Sequence, residues 1–175
     1  SPEFNWLGLE IRFKRVMQAA AKIERAEVTE HTRIARYNVF QLSDLFEAGE
    51  IDCLYINHPD PWPKRKHDLN RLLSANFFEG LAPLMRNGAE LRLKTDHVLN
   101  INAARDNALF GIHAKDWELI GESENVNDGG PPWELDVVTN YQRKFVKRNE
   151  PVYALWLRRV DARSLDTETP SLMKK

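Results

Sequence analysis

Between residues 57 and 67 the chain reads Asn57-His58-Pro59-Asp60-Pro61-Trp62-Pro63-Lys64-Arg65-Lys66-His67. A carboxylate, a flat indole and a cationic run stand close together, stiffened by prolines at 59, 61 and 63. Proline fixes its own φ and restricts the residue before it, so Asp60, held between two of them, has little conformational freedom. Such a group of side chains favours a functional loop without naming its ligand. A solvated surface turn is the plainer account of a proline-rich basic stretch. Trp62 weighs against it, since an indole in a stiff polar loop is costly unless something covers it.

The elements that position this loop follow from hydrophobic pattern. Ile51–Ile56 is an apolar run with aromatic and β-branched residues and reads as a buried strand. The loop therefore lies at a strand's C-terminal end, where open α/β sheets bind ligands. Trp6–Ile11 is expected as the first strand, and Phe13, Val16, Met17, Ala20 and Ile23 recur at helical spacing behind it. Arg33–Tyr37 reads as a second strand and Gln41–Phe46 as a brief helix with Gly49 beyond its end. Leu69–Leu84 is expected as a helix, Asn87-Gly88 as a turn and Ala89–Lys94 as an alternating strand. A helix through Asn107, a strand over Trp117–Gly121 and a long loop over Glu122–Pro132 come next. Thr139–Arg148 then reads as a helix and Val152–Leu157 as a last strand.

Strands alternating with helices predict an α/β fold with a mostly parallel sheet covered on both faces. Four successive strands run into a polar residue: Glu10, Asn38, Asp60 and Asp96. Parallel strands would bring all four to one rim, the geometry of a nucleotide-like pocket. The competing account is that loops after strands are polar anyway.

Composition bounds the rest. At 175 residues and 42% hydrophobic, the chain can bury one substantial core. Its net charge of −1 gives no global pull toward nucleic acid or acidic membrane, so any basic surface is local. Cys53 stands alone inside an apolar strand, which reads as a small buried hydrophobe in a reducing compartment. No apolar run reaches the ~18 residues that span a bilayer and no signal peptide is visible, so a cytoplasmic protein is expected. His31, His58, His67, His97 and His113 form no metal-ligand spacing with Cys53, and no metal is expected. Residues 1–4 resemble a cloning remnant, 5–160 a single domain, and 161–175 a polar, disordered tail.

"NWLGLEIR", "INHPDPWPKRKH", "LKTD" and "VVTNYQRKF" stand in the order and spacing of the bacterial-type tRNA (guanine-N7)-methyltransferases, and the resemblance runs from Asn5 to about Val160. It implies a Rossmann-like sheet, S-adenosylmethionine as cofactor and a tRNA guanine as substrate. It also implies that Glu10 receives the cofactor's ribose hydroxyls and that Asn38 lies beside its adenine. Asp60 takes the position regarded as catalytic, also near the cofactor, with Lys64 and Asp96 as substrate contacts. Thr139, Asn140, Tyr141 and Gln142 match an element that lines the pocket. Guanine N7 has a free lone pair, so positioning supplies much of the acceleration and a carboxylate can stabilise the purine as it becomes cationic. Trp62 would stack or support the loop, and Lys64, Arg65 and Lys66 would meet phosphates. Arg143, Lys144, Lys147 and Arg148 form a second basic cluster, although many helix cations only solvate a face.

The match also has departures. The family's first strand and glycine-rich turn should precede Asn5, so the sheet reads as truncated at its N-terminus. Weak cofactor affinity is expected, and filling of the gap by a second copy would make a homo-oligomer. His58 replaces an aromatic, Asn70 an Arg, Gln142 a Glu, and no aromatic follows Asp96. Two other readings are a non-catalytic tRNA-binding or partner protein on the same scaffold, and methylation of another base or a small molecule.

Overall fold

The computed structural model describes residues 4–64, 70–110 and 114–161. The chain divides into two compact units, Ser1–Leu45 and Phe46–Lys175.

The first unit is a parallel βαβ. Strand β1, Trp6–Glu10, pairs in register with β2, Thr32–Arg36, from Trp6↔Thr32 to Glu10↔Arg36. Helix α1, Phe13–Arg25, connects them. Its first turn carries no acid, but Glu10 reaches forward and accepts the Arg12 N–H at 2.8 Å, satisfying a donor just before the helix. Lys22 and Arg25 in the last turn complement the helix dipole. A 3₁₀ segment, Val39–Asp44, follows and is capped by the Asn38 side chain.

The second unit holds a four-stranded sheet in the order β3-β4-β6-β5. Strands β3 (Ile51–Asn57) and β4 (Met85–Thr95) run parallel, while β6 (Tyr153–Arg159) is antiparallel to both β4 and β5 (Trp117–Ser123). The sheet is thus mixed rather than mostly parallel. The chain after β5 returns as β6 in the opposite direction, and an antiparallel pair accepts a connection of any length.

Alternation along β4 builds both faces. Leu91, Leu93 and Thr95 are fully buried, against Leu157 and Leu155 of β6. Helices α2 (Ala75–Leu81) and α3 (Val98–Arg105) add Phe77, Phe78, Leu81, Ile101 and Ala104 to the buried set. Phe78 meets Trp117 edge-on, with ring centroids 5.6 Å apart. On the other face stand Glu90, Arg92 and Lys94. Arg92 is paired with Glu90 at 2.6 Å and flanked by the rings of Tyr55, Trp133 and Trp156. Here Val126, Trp133, Val152 and Ala154 form a smaller core, with Phe145 and Trp156 against it. Gly121 on β5 is what admits Pro132: a Cβ at 121 would lie 2.8 Å from the Pro132 Cβ.

Several element boundaries differ from the sequence expectation. The helix expected over Leu69–Leu84 begins only at Ala75, because Ser74 caps it by accepting the Phe77 N–H; a 3₁₀ turn, Ala82–Leu84, ends it. Asn87-Gly88, expected as a turn before the strand, is an irregularity inside β4, where Gly88 takes φ 83°. The long loop after β5 contains a short helix, α4, Val126–Gly129. Helix α5 spans Gln142–Arg148, so Thr139–Tyr141 precede it. Of the expected cloning remnant at 1–4, residues 1–3 lie outside the described residues, as do most of the tail, Arg65, Lys66 and His67.

Candidate active site

Strand β3 ends at Asn57, opposite Lys94, and the chain then turns sharply, with His58 at φ 50°. Two hydrogen bonds fix the root of the loop that follows. The His58 N–H donates to the Lys94 carbonyl at 2.8 Å, and the Pro59 carbonyl accepts from Asn100 Nδ2 at 2.8 Å. Asn100 is itself buried on α3 and also donates to Thr95 Oγ1. At the far end, the Arg71 guanidinium donates to the carbonyls of Trp62 and Pro63. Asp60 lies between these anchors with an exposed side chain, and Lys64 is exposed beyond it. Trp62 is 36% exposed and takes φ 42°, so the indole is only partly covered.

Asp96 follows directly after β4 and meets His58, Nδ1 to Oδ1, at 2.9 Å. The imidazole is almost buried, its ring parallel to Phe145 at 5.9 Å and edge-on to Tyr141 at 4.8 Å. His58 thus occupies an aromatic's place by packing as one. His97, where the resemblance has an aromatic nearby, instead caps α3 by accepting the Leu99 N–H.

Lys94 is a buried charge. Its Nζ donates to Asp136 Oδ1 at 2.6 Å, to the Val137 carbonyl at 2.9 Å and to Gln142 Oε1 at 3.0 Å. A buried ammonium needs a carboxylate and full hydrogen bonding. Asp136 supplies the charge, so Gln142 serves as a neutral acceptor where the resemblance has Glu. Thr139 Oγ1 accepts the Gln142 N–H at 3.0 Å, which starts α5, and Asn140 accepts from Arg143 at 3.0 Å. Tyr141 keeps its ring 43% exposed. Arg143, Lys144, Lys147 and Arg148 are all exposed on α5.

In the first unit, Glu10 ends β1 and Asn38 lies two residues past β2, at the C-terminal ends of paired parallel strands. Asn38 Oδ1 accepts the Phe40 N–H at 3.2 Å, and one Glu10 oxygen accepts from Arg12. In the second unit, the Asp60 loop and Asp96 follow the C-terminal ends of the paired parallel strands β3 and β4. The polar groups expected at strand ends therefore converge in two pairs, Glu10 with Asn38 and Asp60 with Asp96.

Three contributors were missed by sequence reasoning. Lys94 sits at an alternating position of a buried strand, which marks a charge in need of a partner. Asn100 lies on the buried face of a helix, and Arg71 is marked in the sequence only as the neighbour of the Asn70 departure. Burial raises the Cys53 thiol's pKa, the nearby Arg92 opposing, so the thiol holds its proton more tightly than a free one. Among the described residues, no group of three or more His, Cys, Asp or Glu could hold a metal.

A family model described as "Putative methyltransferase" matches residues 1–155. One relative is a tRNA (guanine-N(7)-)-methyltransferase of Alkaliphilus oremlandii, 30% identical over 153 residues, covering 87% of this chain and 69% of that protein. Another, from Bacillus subtilis, is 27% identical over 161 residues, covering 87% and 68%. Among solved structures, an rRNA methylase from Streptococcus thermophilus matches with a TM-score of 0.57 at 10% identity, covering 90% of this chain and 74% of that one. A geranyl diphosphate methyltransferase in complex with SAM gives 0.58 at 15%, covering 90% and 69%. These two likenesses show a Rossmann-like methyltransferase fold.

Proposed function

The chain belongs to the tRNA (guanine-N(7)-)-methyltransferase family, and from that membership we propose that it moves a methyl group from S-adenosylmethionine to N7 of a guanine in tRNA. The observation that carries the reading is the Asp60 loop, tied to β4 and α3 at its root and to Arg71 at its end. A carboxylate on a loop so restrained is preorganised, and preorganised charge is worth most where a substrate becomes cationic.

The bound cofactor supplies an electrophilic methyl on a sulfonium. The residues present fit its adenosine end. Glu10 is a carboxylate acceptor at a strand's C-terminal end, suited to ribose hydroxyls. Asn38 uses its oxygen on Phe40, which leaves its amide NH₂ to donate to a base. Asp60 accepts from the N–H edge of the guanine and stabilises the positive charge that alkylation places on the ring. Asp96 is a second acceptor for the substrate, and Tyr141, packed edge-on to His58, offers an exposed aromatic ring. Lys64 and the exposed cations of α5 meet tRNA phosphates, each as a salt-sensitive contact.

Transfer of labelled methyl to a tRNA transcript, with the modified base mapped by chain cleavage at N7-methylguanine, tests this. Asp60→Ala is expected to lower kcat by about 10²- to 10³-fold with the fold retained by circular dichroism. An unchanged rate would remove Asp60 from the reaction. A protein that binds tRNA and cofactor yet transfers nothing would remove the activity.

A further inference from the structure

We infer that His58 is a positioning residue for the methyl acceptor, acting through Asp96; the inference rests on the function proposed above. A histidine filling an aromatic's place needs no polar partner, yet this one has Asp96 at 2.9 Å from Nδ1. An ionised carboxylate only accepts, so Nδ1 carries the proton and donates it. The ring cannot easily turn. Phe145 lies parallel to it, Tyr141 meets it edge-on, and the backbone N–H of the same residue is held by Lys94. Nε2 is buried and has no hydrogen-bond partner among the described residues. The sole polar contact of the imidazole there is thus the one to Asp96.

Asp96 is the exposed member of the pair, with 23% of its side chain accessible against 5% for His58. One oxygen is engaged, and a carboxylate has acceptor capacity to spare for the N–H groups of a purine. A short acidic side chain at a strand's end would otherwise sample several rotamers. Fixing it from behind with a buried donor sets the direction in which it receives the base. Small errors of placement at a reacting base are costly in rate, which gives such a restraint its use.

Two substitutions separate this role from packing. His58→Phe keeps the flat ring between Phe145 and Tyr141 but has no donor. His58→Asn loses ring area but places an amide N–H near the Nδ1 position. If His58 orients Asp96, His58→Phe folds normally and loses about ten- to a hundredfold in kcat/KM for tRNA, while His58→Asn recovers most of it. His58→Phe added to Asp96→Ala should then cost nothing further. The opposite order, with His58→Phe active and His58→Asn impaired, would assign His58 to packing and overturn the inference. Nitrogen NMR of the free protein, expected to show Nδ1 protonated, reads the contact independently of activity; a ring protonated at Nε2 alone would overturn it. Unsubstituted protein in the same assay separates the two ideas. No transfer by it would overturn the function and this inference together. Transfer that His58→Phe leaves unchanged would overturn the inference alone.

Discussion

The two units use the same parallel pairing of strands and differ in what they bury. Among the described residues of the first, Leu42 is the one buried side chain, and α1 has none; Phe13 and Met17 on that helix are 62% and 54% exposed. In the second, β4 and β6 alone contribute Ala89, Leu91, Leu93, Ala154, Leu155 and Leu157 at 2% exposure or less. A two-stranded sheet with one helix is marginal, while a four-stranded sheet covered on both faces is not. The lesson is one of division of labour. Stability resides with the strands that carry Asp60 and Asp96, and the residues proposed for the cofactor stand on the less buried element.

The most severe test of this contrast is Phe78→Ala, which empties the centre of the second unit. It is expected to cost about 3–5 kcal/mol in urea unfolding. A loss similar to that of an exposed residue would show that the sheet is not the stabilising region. Asp136→Ala is next. It strands the Lys94 ammonium with neutral acceptors only, at about 3 kcal/mol or somewhat more. Adding Lys94→Met should then restore much of the loss. In the first unit, Leu42→Ala is expected near 2 kcal/mol and Phe13→Ser within about 0.5 kcal/mol. Hydrogen exchange sharpens the comparison, since amides of β1, α1 and β2 should exchange well before those of β4 and β6. The smallest effect concerns Cys53. Burial lets the folded thiol hold its proton more tightly than the unfolded one. Stability is therefore complete below the ordinary thiol value of about 8.5 and falls as pH rises above it. Cys53→Ala should flatten that decline in urea titrations between pH 8 and 10.

Much of this was legible in the sequence. The proline-clamped aspartate, the strands over Trp6–Glu10 and Ile51–Asn57 and the helix from Phe13 all follow from local pattern, which depends on residues a few positions apart. What escaped depends on competition or distance. Leu72 and Leu73 extend a helical periodicity, but Ser74 captures a helix N–H and moves the start to Ala75. Asn87-Gly88 has turn chemistry, yet the pairing of β3 with β4 absorbs it as an irregularity. His58 with Asp96 and Lys94 with Asp136 are separated by 38 and 42 positions, so only strand register and loop path bring them together. The Gln142 departure looked like a lost charge; with Asp136 present, the Lys94 site remains balanced.

The glycine on the edge strand has a consequence for anyone exchanging parts between related enzymes. Because residue 121 must be bare for Pro132 to seat, the connection after β5 and that strand form a single transferable cassette. A chimera that imports the connection onto a host with even a methyl group at the equivalent position should fail to close over the tryptophans beneath.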